Sequence, residues 1–209
     1  ICIIGFGSIG KRHYKILKRN FPNKDLYIYS RRKLKLKNCV NNFNILLKIN
    51  PDYFIVCTET SNHYKILLKF LNKFNNKIFL VEKPLFLKPK RIKLNNNKVY
   101  VGYNLRFHPL IQKIKKIISN KKFSHINSYC YSYLPNWRKR DYKNSYSAVS
   151  SKGGGALYDL SHEIDYIYYL FGNFKIIYSF NNKISNLELN SKDFTLILGK
   201  TKKNTNINI

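Results

Sequence analysis

"ICIIGFGSIG", residues 1–10, is the stretch that decides the fold. A short apolar run enters glycines at positions 5, 7 and 10, and a helical pattern follows from about Ser8 to Arg19. An apolar run of this length bounded by glycine reads as a buried strand. The three glycines have different tasks. Gly5 allows a tight turn, Gly7 lets the backbone approach a pyrophosphate, and Gly10 lets the helix pack closely on the strand. The helix start offers N–H groups and a positive dipole end to phosphate. Phe6, Ser8 and Ile9, which lie between the glycines, join them as cofactor-binding residues.

Working outward, a second strand, "LYIYS" (26–30), ends about 20 residues after Gly10. An NAD-type fold places an acid there for the ribose 2′-hydroxyl. This chain has Ser30, Arg31 and Arg32 instead. A 2′-phosphate calls for forked, charged donors, so NADP is expected in preference to NAD. Further buried-strand patterns run at 53–57, leading to Thr58, Thr60 and a helix with His63, and at 78–81, leading to Glu82, Lys83 and Pro84. Another, "VYVGYN", ends at Asn104. Strand alternating with helix predicts an α/β fold with a doubly wound parallel sheet. The polar residues fall at strand C-terminal ends, the edge where such sheets bind ligands.

A second informative stretch is "GGGALYDLSHEID", residues 153–165. Leu157, Leu160, Ile164, Ile167 and Phe171 recur at helical spacing and predict one amphipathic helix. Asp159, His162 and Asp165 would then share the opposite face with Tyr158, Tyr166 and Tyr169. A plain solvated face is one reading. However, residues 153–174 contain no lysine or arginine, in a chain with 39 of them among 209 residues. Chance would put about four in such a segment, and exposed helix faces are where lysine collects. An acidic, aromatic, lysine-free face points to a site, and the glycine run is expected to let the chain approach a ligand closely.

Composition limits the alternatives. The hydrophobic content of 44% is that of a globular protein. No apolar run is long enough for a membrane-spanning helix, and the apolar start lacks the basic region and cleavage site of a signal peptide. Four scattered cysteines without CxxC or ligand spacing fit reduced thiols in a cytoplasm. His162-Glu163 is not followed by a histidine at position 166, and no Cys/His cluster is visible, so no metal is expected. The formal net charge of +29 alone would suggest nucleic acid. Lysine is nevertheless spread along the chain together with Asn, Ile, Tyr and Phe, as AT-rich coding produces, and no nucleic-acid-binding signature accompanies it. The chain lacks methionine and opens inside a strand, which suggests a fragment.

Five motifs in order, "GFGSIGKRH", "CTETSNH", "VEKPL", "VGYNLRFHP" and "GGGALYDLSHEID", resemble the Gfo/Idh/MocA oxidoreductases, which act on sugars, nucleotide sugars and cyclic polyols with NAD(P). The resemblance spans Ile1 to about Phe171. The region 133–166 further resembles members linked to surface-carbohydrate pathways. The resemblance implies a Rossmann domain over 1–103 and a partial α/β domain with an open, mostly antiparallel sheet over 104–209. After Phe171, only "NFKIIYSFNN" and "DFTLILGK" read as strands, so that second domain is expected to be truncated. By the same resemblance, Lys83 would lie beside the nicotinamide and the reacting carbon, His162 would assist the proton, and Asp159 would position substrate. The Asp159–His162 gap is three residues where many members have four. Asn104 and Arg106 match a site-lining segment, and Trp137 and Arg138 fall where some members touch cofactor or substrate. A homo-oligomer is expected of the full-length protein. A non-catalytic NAD(P)-binding protein, an inactive fragment and a basic nucleic-acid-binding protein are the other readings open to the sequence.

Overall fold

The computed structural model describes residues 1–32, 34–137, 139 and 141–209. They form two compact units, Ile1–Gly102 and Tyr103–Ile209.

The first unit is a six-stranded parallel sheet. Its strands are β1 (Cys2–Ile4), β2 (Tyr27–Tyr29), β3 (Cys39–Val40), β4 (Tyr53–Val56), β5 (Ile78–Val81) and β6 (Lys98–Val101), in the order β3-β2-β1-β4-β5-β6. The order reverses between β1 and β4, which creates the crevice where doubly wound sheets take ligands. Three helices connect strands: α1 (Ser8–Asn20), α2 (Phe43–Ile49) and α3 (Thr60–Leu71). The periodic pattern revealed α1 and α3. It did not reveal β3 and α2, whose two and seven residues are too short to carry a period. Asn42 caps α2 by accepting from the Asn44 N–H (2.8 Å), and Asn50 ends it in a left-handed conformation (φ 48°).

The core lies on the face covered by α2 and α3. Phe54 and Phe79, on paired strands, stack with centroids 4.8 Å apart, and Phe70 and Phe74 pack on Phe54. Asn97 closes this unit below the sheet. Its amide donates to the Phe74 and Leu94 carbonyls and accepts from the Lys77 N–H, each at 2.8 Å.

The second unit opens with a 3-10 turn (Asn104–Phe107), then α4 (Pro109–Ile118), β7 (His125–Asn127) and a run of short 3-10 turns. α5 (Ala156–Asp159) and α6 (His162–Phe171) follow, then β8 (Phe174–Asn182), β9 (Phe194–Thr201) and β10 (Asn206–Asn208). The sheet order is β7-β10-β9-β8, antiparallel except for the β7–β10 pair. Two of these four strands escaped the sequence reading. "HIN" and "NIN" hold one apolar residue each, and only pairing identifies them.

The expected single helix is in fact two. Leu160 (φ −104°, ψ 26°) and Ser161 (φ −67°, ψ −2°) interrupt it, and the Ser161 side chain is turned to Tyr103. Among the described residues no helix is long and apolar enough to cross a membrane.

Candidate functional site

The glycine-rich turn is built on the first sheet's C-terminal edge. The Gly5 N–H donates to the Tyr29 carbonyl (3.0 Å), and Gly5 adopts φ +90°, which only glycine takes readily. A Cβ on Gly5 would meet Thr58 Cγ2 at 2.9 Å, and one on Gly10 would meet the Gly5 carbonyl oxygen at 2.2 Å. Both positions are closed by protein. Gly7 differs, because a Cβ there would meet nothing within 4 Å. Gly7 caps the N-terminus of α1, where no side chain caps the free N–H groups and no acid sits in the first turn. Ser8 and Ile9 are exposed at this opening, while Phe6 is buried and packs on Tyr14.

Ser30, Arg31 and Arg32 follow β2 on the same edge. The Ser30 hydroxyl accepts from the Arg32 N–H (3.1 Å), and the Arg32 guanidinium donates to the Phe6 carbonyl (3.0 Å). Arg32 thus ties the end of β2 to the glycine turn. Arg31 is exposed and makes no hydrogen bond or ion pair among the described residues.

Thr58 and Thr60 follow β4, and Glu82 and Lys83 follow β5. Val56 and Val81 are in register, so the two segments leave the sheet side by side. His63 braces them. Its Nδ1 lies 3.1 and 3.2 Å from the Pro84 and Leu85 carbonyls, and its Nε2 lies 3.1 Å from the Thr58 carbonyl. Burial lowers its pKa against those carbonyls, so the ring is neutral and has one N–H to donate. The single N–H donates to one side only, to the Thr58 carbonyl or to the Pro84 and Leu85 carbonyls, and the ring, 1% exposed, packs between the two loops.

His13, which no sequence pattern had distinguished, hydrogen-bonds Glu82 (Nε2···Oε1 2.7 Å). Cys57 lies within 4.8 Å of both donor atoms. The sequence reading found no Cys/His cluster because these residues are 44 and 25 positions apart, and only the sheet register joins them.

In the second unit, Asp159 and His162 lie at the α5–α6 break. The Asp159 carboxylate accepts from the Tyr146 hydroxyl (2.8 Å) and the Gly155 N–H (3.3 Å). His162 begins α6, with its ring edge-on to Tyr103 at 5.8 Å. Asp165 is buried and takes a bidentate contact from Arg106 (2.8 and 2.6 Å). Asp165 therefore has a supporting role within the protein, and Arg106 is occupied in holding it. Asn104 is exposed at the start of the 3-10 turn, and the Trp137 indole donates to Ser132 Oγ (2.6 Å). Arg138 lies outside the described residues. A cavity of about 360 Å³ lies between α6 and β8, lined by Tyr103, Ile164, Asp165, Tyr168, Phe174 and Ile176. Neither His162 nor Asp159 lines it.

The glycine run needs a different explanation from the expected one. A Cβ on Gly154 would lie 2.3 Å from the Ser147 carbonyl oxygen, and one on Gly155 would lie 2.7 Å from that of Lys192. Gly155 also has φ +118°. At Gly154 and Gly155 the space that a Cβ would take is filled by the chain's own carbonyls.

Residues 1–96 match the family profile described as "Oxidoreductase family, NAD-binding Rossmann fold", and residues 115–200 match its "C-terminal alpha/beta domain". Comparison with curated proteins returns no significant match. Among solved structures, 99% of the chain superposes on a Desulfitobacterium hafniense oxidoreductase (TM-score 0.83, 18% identity). All of it superposes on the Bordetella pertussis WlbA dehydrogenase in complex with NADH and UDP-GlcNAcA (0.80, 16%). A Lactobacillus plantarum myo-inositol 2-dehydrogenase matches over 99% of the chain (0.80, 19%). The chain spans 64%, 69% and 67% of these three proteins respectively.

Proposed function

We propose, for a chain that belongs to the Gfo/Idh/MocA oxidoreductase family, NAD(P)-dependent oxidoreduction at a CH–OH group of a carbohydrate-type substrate, with NADP preferred. The observation that carries this reading is the contrast among the three glycines: Gly5 and Gly10 are filled by protein, whereas Gly7 opens an uncapped helix start. A dinucleotide pyrophosphate fits that opening, receiving N–H donors and the positive end of the helix dipole. Arg31, exposed and without a hydrogen bond or ion pair among the described residues, is the guanidinium assigned to the 2′-phosphate, while Arg32 keeps its structural contact to Phe6.

When bound, the dinucleotide supplies the hydride donor or acceptor. The chain's own task is to hold the phosphates and to move the proton of the reacting hydroxyl. We assign that exchange to Lys83 at the end of β5, assisted by His162, with Asp159 positioning substrate. Thr58, Thr60, Glu82, Asn104 and Trp137 complete the set assigned to the cofactor. The solved relatives that carry a nucleotide sugar or act on myo-inositol support a sugar, nucleotide sugar or cyclic polyol as substrate. A role in surface-carbohydrate synthesis and assembly as a homo-oligomer belong to the same reading.

NADPH and NADH titrations on the full-length protein test it. NADPH should bind more tightly, and Arg31→Ala should largely remove the difference, since a charge-assisted contact contributes about 1.5–3 kcal/mol. Gly7→Ala should keep the melting temperature and weaken both cofactors. Lys83→Ala should lower kcat by about 10²–10⁴-fold, with cofactor affinity nearly constant. Equal affinities for the two cofactors would remove the NADP preference, and a Lys83→Ala enzyme within about threefold of wild-type kcat, short of the general acid–base range, would remove the assigned chemistry.

A further inference from the structure

His13, Cys57 and Glu82 converge from three elements. His13 stands on α1, Cys57 directly follows β4, and Glu82 directly follows β5. Their Nε2, Sγ and carboxylate oxygen atoms all lie within 4.8 Å of one another. Pairing of Val56 with Val81 fixes Cys57 beside Glu82, and the Glu82 N–H donates to the Val56 carbonyl (3.0 Å). The backbone therefore brings two of the three donors together.

The electrostatics of this cluster are unusual for so basic a chain. Glu82 lies among 39 lysines and arginines in the sequence, yet its ion partner among the described residues is a histidine. Cys57 is 9% exposed, and burial together with the Glu82 charge pushes its thiol well above the ordinary range. Without a cation the sulfur is protonated. The His13 and Glu82 side chains are 24% and 21% exposed, so the cluster has an open rim over a sulfur floor.

We propose that His13, Cys57 and Glu82 form a three-ligand site for a sulfur-seeking divalent cation of the Zn²⁺ class. A thiolate and a carboxylate balance the two positive charges, and a neutral imidazole completes a nitrogen, sulfur and oxygen set. Such a set suits Zn²⁺ or Co²⁺ and does not suit Mg²⁺ or Ca²⁺, which take oxygen ligands. In tetrahedral zinc sites the bonds are about 2.0–2.3 Å, which places donors about 3.5 Å apart; here His13 and Glu82 are 2.7 Å apart and Cys57 lies within 4.8 Å of both, so small side-chain shifts bring the three to that spacing. As the metal–sulfur bond forms, the thiol proton leaves to solvent. The imidazole binds through Nε2, the nitrogen that faces Glu82. A fourth position is left for water. The bound ion would join the ends of β4 and β5 to α1. The site shares Glu82 with the set assigned to the cofactor, and a titration without dinucleotide reads it separately from the oxidoreductase reading.

Cobalt titration of the full, reduced, metal-free protein tests it. One equivalent of Co²⁺ should produce a near-ultraviolet thiolate-to-cobalt charge-transfer band, with release of the thiol proton. The band should persist in Cys130→Ser and vanish in Cys57→Ser, and His13→Gln should weaken binding at least tenfold. Absence of the band, its survival in Cys57→Ser, or its loss in Cys130→Ser overturns the site. If Cys57→Ser loses its native circular dichroism, His13→Gln decides, because it keeps the sulfur, and an unchanged cobalt affinity in that variant also overturns the site.

Discussion

The two units are nearly equal in length but are held together differently. Among the described residues the first buries eighteen apolar side chains, from Cys2 to Val81, and the second buries four: Ala148, Ile167, Ile197 and Ile207. The second instead buries eight polar ones, seven of them serine or threonine in Ser128, Ser145, Ser147, Ser161, Ser191, Thr201 and Thr205, joined by Asp165. These are largely engaged: Ser191 donates to the Ser147 carbonyl (2.7 Å), Ser128 bonds Tyr166 (2.5 Å), and Arg106 grips Asp165. The first unit is specified by packed volume, the second more by hydrogen-bonded polar groups, although Ser147 Oγ is buried without a hydrogen-bond partner among the described residues. Truncating a large apolar side chain should therefore be most costly in the first unit, and orphaning a polar one most costly in the second.

The largest expected effect is Phe54→Ala. Phe54 is fully buried and touches Phe70, Phe74 and Phe79. Removing it leaves a ring-sized cavity that paired strands cannot close, and such changes cost about 3–5 kcal/mol. Truncating Ile177 on β8, which is 67% exposed, should stay within about 0.5 kcal/mol. Urea unfolding of both variants checks the difference, and similar losses would break the comparison.

Next is the Arg106–Asp165 pair. Arg106→Ala leaves a carboxylate, 7% exposed, without its two donors. Because the arginine itself is 36% exposed, the loss should be about 2 kcal/mol, in the range for charged hydrogen bonds, and below that of a fully buried pair. The double variant Arg106→Met, Asp165→Leu should recover most of that loss. If it is less stable than Arg106→Ala, the pair contributes attraction and not only mutual satisfaction.

This contrast also explains what the sequence reveals. The first unit was legible because buried parallel strands are apolar runs, and because Gly5, Gly7 and Gly10 mark a turn with one geometry. Lys83 and Glu82 could be placed at a strand end for the same reason. In the second unit, β7 and β10 carry one apolar residue each and exist through pairing. The α5–α6 break occurs inside an unbroken helical period, where Ser161 turns to Tyr103. Gly153–Gly155 signalled close approach correctly, but sequence cannot say whether the approaching group is a ligand or the chain's own carbonyls. The Arg106–Asp165 and His13–Glu82 pairs span 59 and 69 residues, and local spacing has no bearing on either.

The smallest expected effect tests whether the first unit's few buried polar groups behave like the second's. His63 is the most consequential, being 1% exposed and bridging the Thr58 and Pro84 segments. Burial lowers its folded-state pKa below the ordinary 6.5. Below that ordinary value the unfolded chain takes up the proton before the folded one does. Stability from the neutral ring is therefore complete above about pH 6.5 and is lost as pH falls toward the folded-state pKa. One proton limits the slope to about 1.4 kcal/mol per pH unit. His63→Gln keeps one donor and one acceptor and cannot titrate. Urea unfolding at pH 7.5 and at pH 5.5 should show the wild type losing more stability than His63→Gln over that interval. The variant should be the less stable of the two at pH 7.5, because its amide cannot reach both loops with the ring's geometry. Equal losses in the two proteins would mean that His63 titrates alike in the folded and unfolded chain, and a smaller loss in the wild type would mean that the folded ring is charged, with both nitrogens donating to carbonyls. The first unit would then contain a charged polar clasp of the kind that holds the second.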